Sequence, residues 1–195
     1  KEFVFGKLAG VLFNAKEMLL LPLVLLGILW QIGAANGEST IYIAIGWLSI
    51  SAFAAVLGIH VGMHYANSRQ AAAVSLATVF FLIVGVGVSM RIMTAFSGSF
   101  QAQLQPFLAT IVGGGVGLYA ALGRRNPSPA ITLGSFILPL ATFYALTSFL
   151  LGAGLAALLA VLGAYSFTTA ALLIPAIFEF DVATGRTSGG EDRDG

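Results

Sequence analysis

The feature that most constrains this chain is a series of long apolar segments separated by short polar ones. A helix needs about 20 consecutive apolar residues to cross the hydrocarbon core of a bilayer, and six segments approach that length. They lie near Met18–Ala35, Thr40–Met63, Ala71–Met90, Phe107–Leu122, Ile131–Leu151 and Leu155–Ile174. Only 9% of the residues are charged and 58% are hydrophobic, which leaves too little polar surface for a soluble domain. The pattern predicts an all-α membrane bundle of about six transmembrane helices.

The basic residues give this bundle an orientation. Basic residues concentrate in the cytoplasmic loops of membrane proteins. If the N-terminus is cytoplasmic, eight of the nine lysines and arginines lie on the cytoplasmic side. These are Lys1, Lys7, Lys16, Arg69, Arg124, Arg125, Arg186 and Arg193, whereas Arg91 lies on the outer side. An even number of spans with both termini in the cytoplasm is therefore predicted.

Two less apolar segments flank the bundle of residues 18–175. Residues 1–17 mix aromatic and aliphatic residues with lysines, and this spacing suits an amphipathic helix in the inner interface. The same spacing suits an inner extension of the first span. Residues 176–195 become acidic and glycine-rich, and we expect them to form a disordered polar tail.

Two glycine pairs have the spacing of helix-packing motifs. Gly58 and Gly62 are four residues apart, as are Gly113 and Gly117. Small residues let helices approach closely in lipid, where no hydrophobic drive brings helices together. We expect these four glycines to lie at helix contacts.

A pair of histidines is the one candidate metal site. His60 and His64 share a helix face and together are two potential ligands. A complete site needs further ligands, and the sequence has no other histidine and no cysteine. One alternative is a membrane-embedded metal or redox module that uses these residues. The other is that they are a pair of polar residues near the inner interface.

No catalytic constellation is visible. The chain lacks the GxSxG, HExxH and phosphate-loop patterns, and a net charge of +1 gives no reason to expect a nucleic-acid partner. Arg91 either extends to the outer interface, as long basic side chains do at the end of a span, or contributes to a substrate path. The sequence is therefore not interpreted as an enzyme, and a structural membrane protein without transport activity is a further alternative.

Three short motifs carry a family resemblance. They are Phe5-Gly6-Lys7-Leu8-Ala9-Gly10, Gly58-Ile-His-Val-Gly62 and Asn67-Ser-Arg-Gln-Ala-Ala-Ala-Val-Ser75. The first resembles the segment that precedes a transmembrane helix in ABC type-2 permeases, and the other two resemble the inner loop of that family. The resemblance is closest to permeases of bacterial multi-copper-enzyme maturation systems. Family members carry four helices after the first motif, so six spans imply an extra helical pair or a re-entrant hairpin among the last two. The family also has helices upstream of this motif, so the resemblance implies a C-terminal part of such a permease.

The resemblance also implies a mode of action and a set of partners. It implies a permease subunit in the bacterial inner membrane that pairs with a second permease subunit and with a separate ATPase subunit. ATP would bind to that ATPase, with no cofactor in this chain, and lipid would surround the helices. Lys7, Lys16 and Arg69 are the candidates for facing the ATPase.

Overall fold

The computed structural model describes residues 6, 9–10, 13–95, 99–123 and 127–183, without the side chains of residues 176 and 178–183. Among these residues there are six long helices and no β-strand. The helices are α1 (Lys16–Gln31), α2 (Gly37–His64), α3 (Ser68–Ala95), α4 (Phe100–Leu122), α5 (Pro129–Leu150) and α6 (Gly154–Ala183). The predicted all-α bundle is confirmed.

Five of the six helices, α2 to α6, are long and apolar enough to cross a membrane. The chain is therefore an integral membrane protein. The first predicted span corresponds to α1, which has 16 residues and a length of about 24 Å, less than the roughly 30 Å of bilayer hydrocarbon. Both late helices have full crossing length, which favours two complete spans over a re-entrant hairpin.

Polar caps and glycine turns set the helix boundaries. Side chains of Asn36, Asn67, Ser99 and Ser128 accept hydrogen bonds from backbone N–H groups in the first turns of α2, α3, α4 and α5. These bonds satisfy donors that a helix start leaves unpaired. After α1 and α5, Gly33 and Gly152 adopt positive φ angles of 73° and 81°, and the following residues bond back to Leu29 and Ser148. This arrangement is the Schellman motif, which ends a helix sharply.

The core lies where α2, α5 and α6 meet. The antiparallel pair α5 and α6 has the most extensive contact, and α2 packs along α6. Phe53 of α2 meets Tyr165 of α6 edge to face, with ring centroids 5.2 Å apart. Tyr165 also shares a 2.9 Å hydrogen bond with Thr142 of α5. Since Thr142 donates its own hydrogen to the Leu138 carbonyl, Tyr165 is the donor of that bond.

The other helices lie around this core. α1 packs mainly on α2, and Trp47 Nε1 donates to the Leu19 carbonyl across that contact at 3.2 Å. α3 and α4 are paired, and each contains one π-helical turn, Phe81–Gly85 and Ala109–Gly113. Ser89 of α3 is hydrogen-bonded to Thr110 within the second of these turns.

The two flanking segments are only partly described. Residues 13–14 are helical, and Ala15 forms a turn before α1 begins. Lys1 and Lys7 lie outside the described residues, so the two interpretations of residues 1–17 both remain predictions. At the other end α6 continues to Ala183, so its last eight residues, 176–183, fall within the predicted tail. Residues 184–195 lie outside the described part of the chain.

Candidate functional site

A polar cavity of about 410 Å³ lies at the end of the bundle that is predicted to face the cytoplasm. Its lining comes from the end of α2, the turn after it, the start of α3 and the end of α4. The lining residues are His60, Val61, His64, Tyr65, Gln70, Ala121 and Leu122. Its lining includes two histidines, a tyrosine and a glutamine, and it is the candidate functional site.

A tight connection between α2 and α3 shapes one side of the cavity. α2 ends at His64, Tyr65 is extended, and Asn67 caps the first turn of α3 by accepting from Arg69 N–H at 2.9 Å. This brings Gln70 back beside the end of α2. Gln70 is exposed at the mouth of the cavity, whereas His60 and Val61 at its floor are 1% and 0% exposed.

Two side chains, one from the end of α2 and one from the α2–α3 connection, reach the end of α4. His60 Nε2 lies 3.2 Å from the Leu122 carbonyl oxygen, and the Tyr65 hydroxyl donates to the Ala121 carbonyl at 3.4 Å. The last carbonyls of a helix have no partner within the helix. A carbonyl can only accept, so His60 carries its hydrogen on Nε2.

The two histidines stack on each other. Their ring centroids are 4.3 Å apart, and His64 Nδ1 donates to the His60 carbonyl at 2.7 Å. Metal-binding histidines commonly donate one N–H to a carbonyl in this way. However, no group of three or more His, Cys, Asp or Glu side chains forms in the part of the chain that the structure describes. The described residues therefore supply two imidazoles and no complete metal site.

The charged candidates are spread over the surface. Arg69 is exposed beside the polar cavity, at the start of α3. Lys16 is exposed at the start of α1, with its Nζ 4.3 Å from the centre of the Phe13 ring. Arg91 is exposed near the opposite end of α3 and lines neither cavity described here. Of the two described candidates for facing an ATPase, Arg69 lies next to the cavity and Lys16 does not line it. Lys7 lies outside the described residues.

The glycine pairs singled out in the sequence do not make the close helix contacts within the described chain. A Cβ atom added to Gly58, Gly62, Gly113 or Gly117 would have no neighbour within 4 Å on another described element. Close approaches between helices occur at Gly114 against Phe81, at Gly115 against Phe136, at Gly134 against Thr168 and at Gly154 against Tyr42. The physical reason is rotational phase. Residues 113–115 are all glycine, and spacing alone does not decide which of them faces the neighbouring helix.

A second cavity, of about 300 Å³, lies in the opposite half of the bundle. It is bounded by α2, α3, α5 and α6, and most of its lining is aliphatic or aromatic. Trp47 and Phe149 lie on its walls, and the hydrogen-bonded pair of Thr142 and Tyr165 is at its deeper end.

Most residues of the polar cavity carried no signal in the sequence. His60 and His64 stood out by their type, and Gln70 lies in a motif that supports the resemblance. Tyr65, Ala121 and Leu122 did not stand out, because their contribution depends on α4 ending beside α2. For these three residues the only clue was that Tyr65 is a tyrosine just after a predicted span.

No protein-family model, no curated protein and no solved structure matches this chain.

Proposed function

We propose that this chain is the membrane-spanning permease subunit of an ABC-type transporter in a bacterial inner membrane. The observation that carries the proposal concerns two of the motifs that resemble ABC type-2 permeases. The 5-residue motif Gly58–Gly62 lies near the end of α2, and the 9-residue motif Asn67–Ser75 lies at the start of α3. They meet at the α2–α3 connection around the polar cavity. Residues that carry the resemblance are thus joined at one end of the bundle.

The position of this cavity suits contact with a partner that supplies energy. The basic residues predict this end to be cytoplasmic, and Arg69 is exposed beside the cavity mouth. An ATPase subunit that docks here would contact the short α2–α3 connection. ATP binding would then move the ends of α2 and α3, and a second permease subunit would complete the transporter.

The interior of the bundle favours a particular class of substrate. From α4 to residue 175 of α6 the described helices contain no Asp, Glu, Lys or Arg. Charged residues buried within spans mark ion pathways and proton relays. Their absence from these helices favours an amphipathic, lipid-like substrate or mechanical work on the membrane.

Co-purification tests the proposal directly. The full-length protein, tagged and extracted in mild detergent, is expected to retain an ATPase subunit encoded near it, and the complex to hydrolyse ATP. Arg69→Ala should reduce the retained ATPase about five-fold, as expected for the loss of one interface contact worth about 1 kcal/mol.

Arg91→Ala is the matched control, because it removes the same side chain from the opposite end of the same helix, α3. It should leave the retained ATPase unchanged. The proposal fails if no ATPase is retained by the wild-type protein, or if the two arginine variants lose it equally.

A further inference from the structure

The polar cavity separates two helices that have little other contact. α2 packs on α1, α3 and α6, whereas α4 packs on α3 and α5. α2 and α4 do not run closely together along any shared length. At their inner ends, hydrogen bonds join His60 to the Leu122 carbonyl and Tyr65 to the Ala121 carbonyl.

These two bonds lie at the boundary between polar surface and apolar core. Gln70 and His64 lie on the solvent side of these bonds, and Gln70 is exposed. Immediately behind them are Leu57 and Leu118, which are 0% and 4% exposed. Any separation of the inner ends of α2 and α4 must break these bonds before water reaches the core.

Breaking these bonds costs little compared with opening a packed interface. Both acceptors are carbonyls in the last turn of a helix, which water can solvate at a membrane surface. A neutral hydrogen bond exchanged for bonds to water contributes only modestly to stability. By contrast, the interface of α5 and α6 is closed by packed side chains, including Gly134 against Thr168.

We propose that His60 and Tyr65 form a latch that holds the inner ends of α2 and α4 together, and that its release opens the polar cavity toward the core. The latch is a property of this chain and does not depend on which partner drives it. In the ABC-type arrangement proposed above, an ATPase at the α2–α3 connection would act on it by moving Tyr65.

Thiol labelling tests the latch. These 195 residues contain no cysteine, so in the Val61→Cys variant the only thiol among them lies at the cavity floor. The full-length protein in lipid nanodiscs is treated with a polar maleimide, and labelling of this stretch is followed by mass spectrometry. Labelling should be slow, and Tyr65→Phe, which removes only the hydroxyl, should accelerate it about five-fold.

Two controls separate a latch from a general loosening of the bundle. Tyr119→Phe removes a hydroxyl from a tyrosine of α4 that does not line the cavity, and it should leave the labelling rate unchanged. A thiol introduced by Ala157→Cys in the second cavity should label at the same rate with or without Tyr65→Phe.

The proposal is overturned if Tyr65→Phe does not change the labelling of Val61→Cys. It is also overturned if Tyr65→Phe accelerates labelling at positions 61 and 157 equally, because the hydroxyl would then stabilise the whole bundle. Neither outcome depends on whether an ATPase partner exists, so failure of the latch and failure of the proposed function are distinguishable.

Discussion

Two phenylalanine rings occupy the space next to neighbouring glycines of α4. Phe81 of α3 lies against Gly114, and Phe136 of α5 lies against Gly115. A Cβ atom at either position would overlap the neighbouring ring, so each glycine lets α4 approach one neighbouring helix. In lipid, where packing rather than hydrophobic burial brings helices together, these contacts are a main source of stability for α4.

Gly115→Ala is therefore expected to destabilise the bundle by about 1–3 kcal/mol, the usual cost of overpacking a well-filled interior. The new methyl group would overlap the Phe136 ring. Unfolding of the purified protein by SDS in mixed micelles measures the change.

Gly117→Ala is the matched control on the same helix, because its methyl group would have no neighbour within 4 Å on the described elements. It should be neutral or slightly stabilising, since alanine has the higher helix propensity. Equal losses at positions 115 and 117 would show that both faces of α4 are packed.

At the scale of elements, the end of α5 is the most sharply defined boundary. Leu151, Gly152 and Ala153 alone connect α5 to α6, and Gly152 has a φ of 81°. The carbonyls of Ser148 and Phe149 accept hydrogen bonds from Ala153 and Gly152. This short turn sets the antiparallel register that places Gly134 opposite Thr168 and Thr142 opposite Tyr165.

Gly152→Ala should cost about 1–2 kcal/mol, because the left-handed conformation is strained for a residue with a Cβ atom. Gly152→Asn should cost less, because asparagine tolerates this conformation. Thermal unfolding followed by size-exclusion chromatography compares both with Gly163→Ala, a control in the exposed face of α6. A Gly152→Ala variant as stable as this control would contradict the role of the turn.

For the molecule as a whole, the question with the widest consequence is whether α1 crosses the membrane. α1 has 16 residues and packs mainly on α2, and many of its apolar side chains, including Leu21 and Trp30, are exposed to the surroundings. A helix of this length crosses only if the bilayer thins or if flanking residues extend the span. Six crossings place position 14 on the same side as position 67, and five place them on opposite sides.

We expect six crossings, because the basic residues favour an even number. In sealed right-side-out vesicles, thiols introduced by Asn14→Cys and Asn67→Cys should both be protected from an impermeant maleimide. Thiols introduced by Ala35→Cys and Gln101→Cys should both label. Labelling of position 14 together with position 35 would show that α1 stays on one side of the membrane.

Several features were predictable because they depend on local sequence. The apolar length of a segment decides whether it can cross a bilayer, so α2 to α6 follow from the sequence within a few residues at most ends. α3, α4 and α6 are the exceptions. α3 extends to Ala95, α4 begins at Phe100 and α6 continues to Ala183, because a helix also satisfies the backbone groups of the polar residues near these ends. The histidine pair was also visible, since residues four apart share a helix face.

The sequence by itself thus determined that this is a helical membrane protein, where most of its helices lie, and which side its charges favour. Only the tertiary structure decided which helix faces meet. Spans that are apolar on every side carry no stripe to fix their rotation, so Gly114 and Gly115 rather than Gly113 and Gly117 face neighbours. The polar cavity depends on that rotation too, because His60 and Tyr65 reach the carbonyls of Leu122 and Ala121 only when α4 ends beside α2.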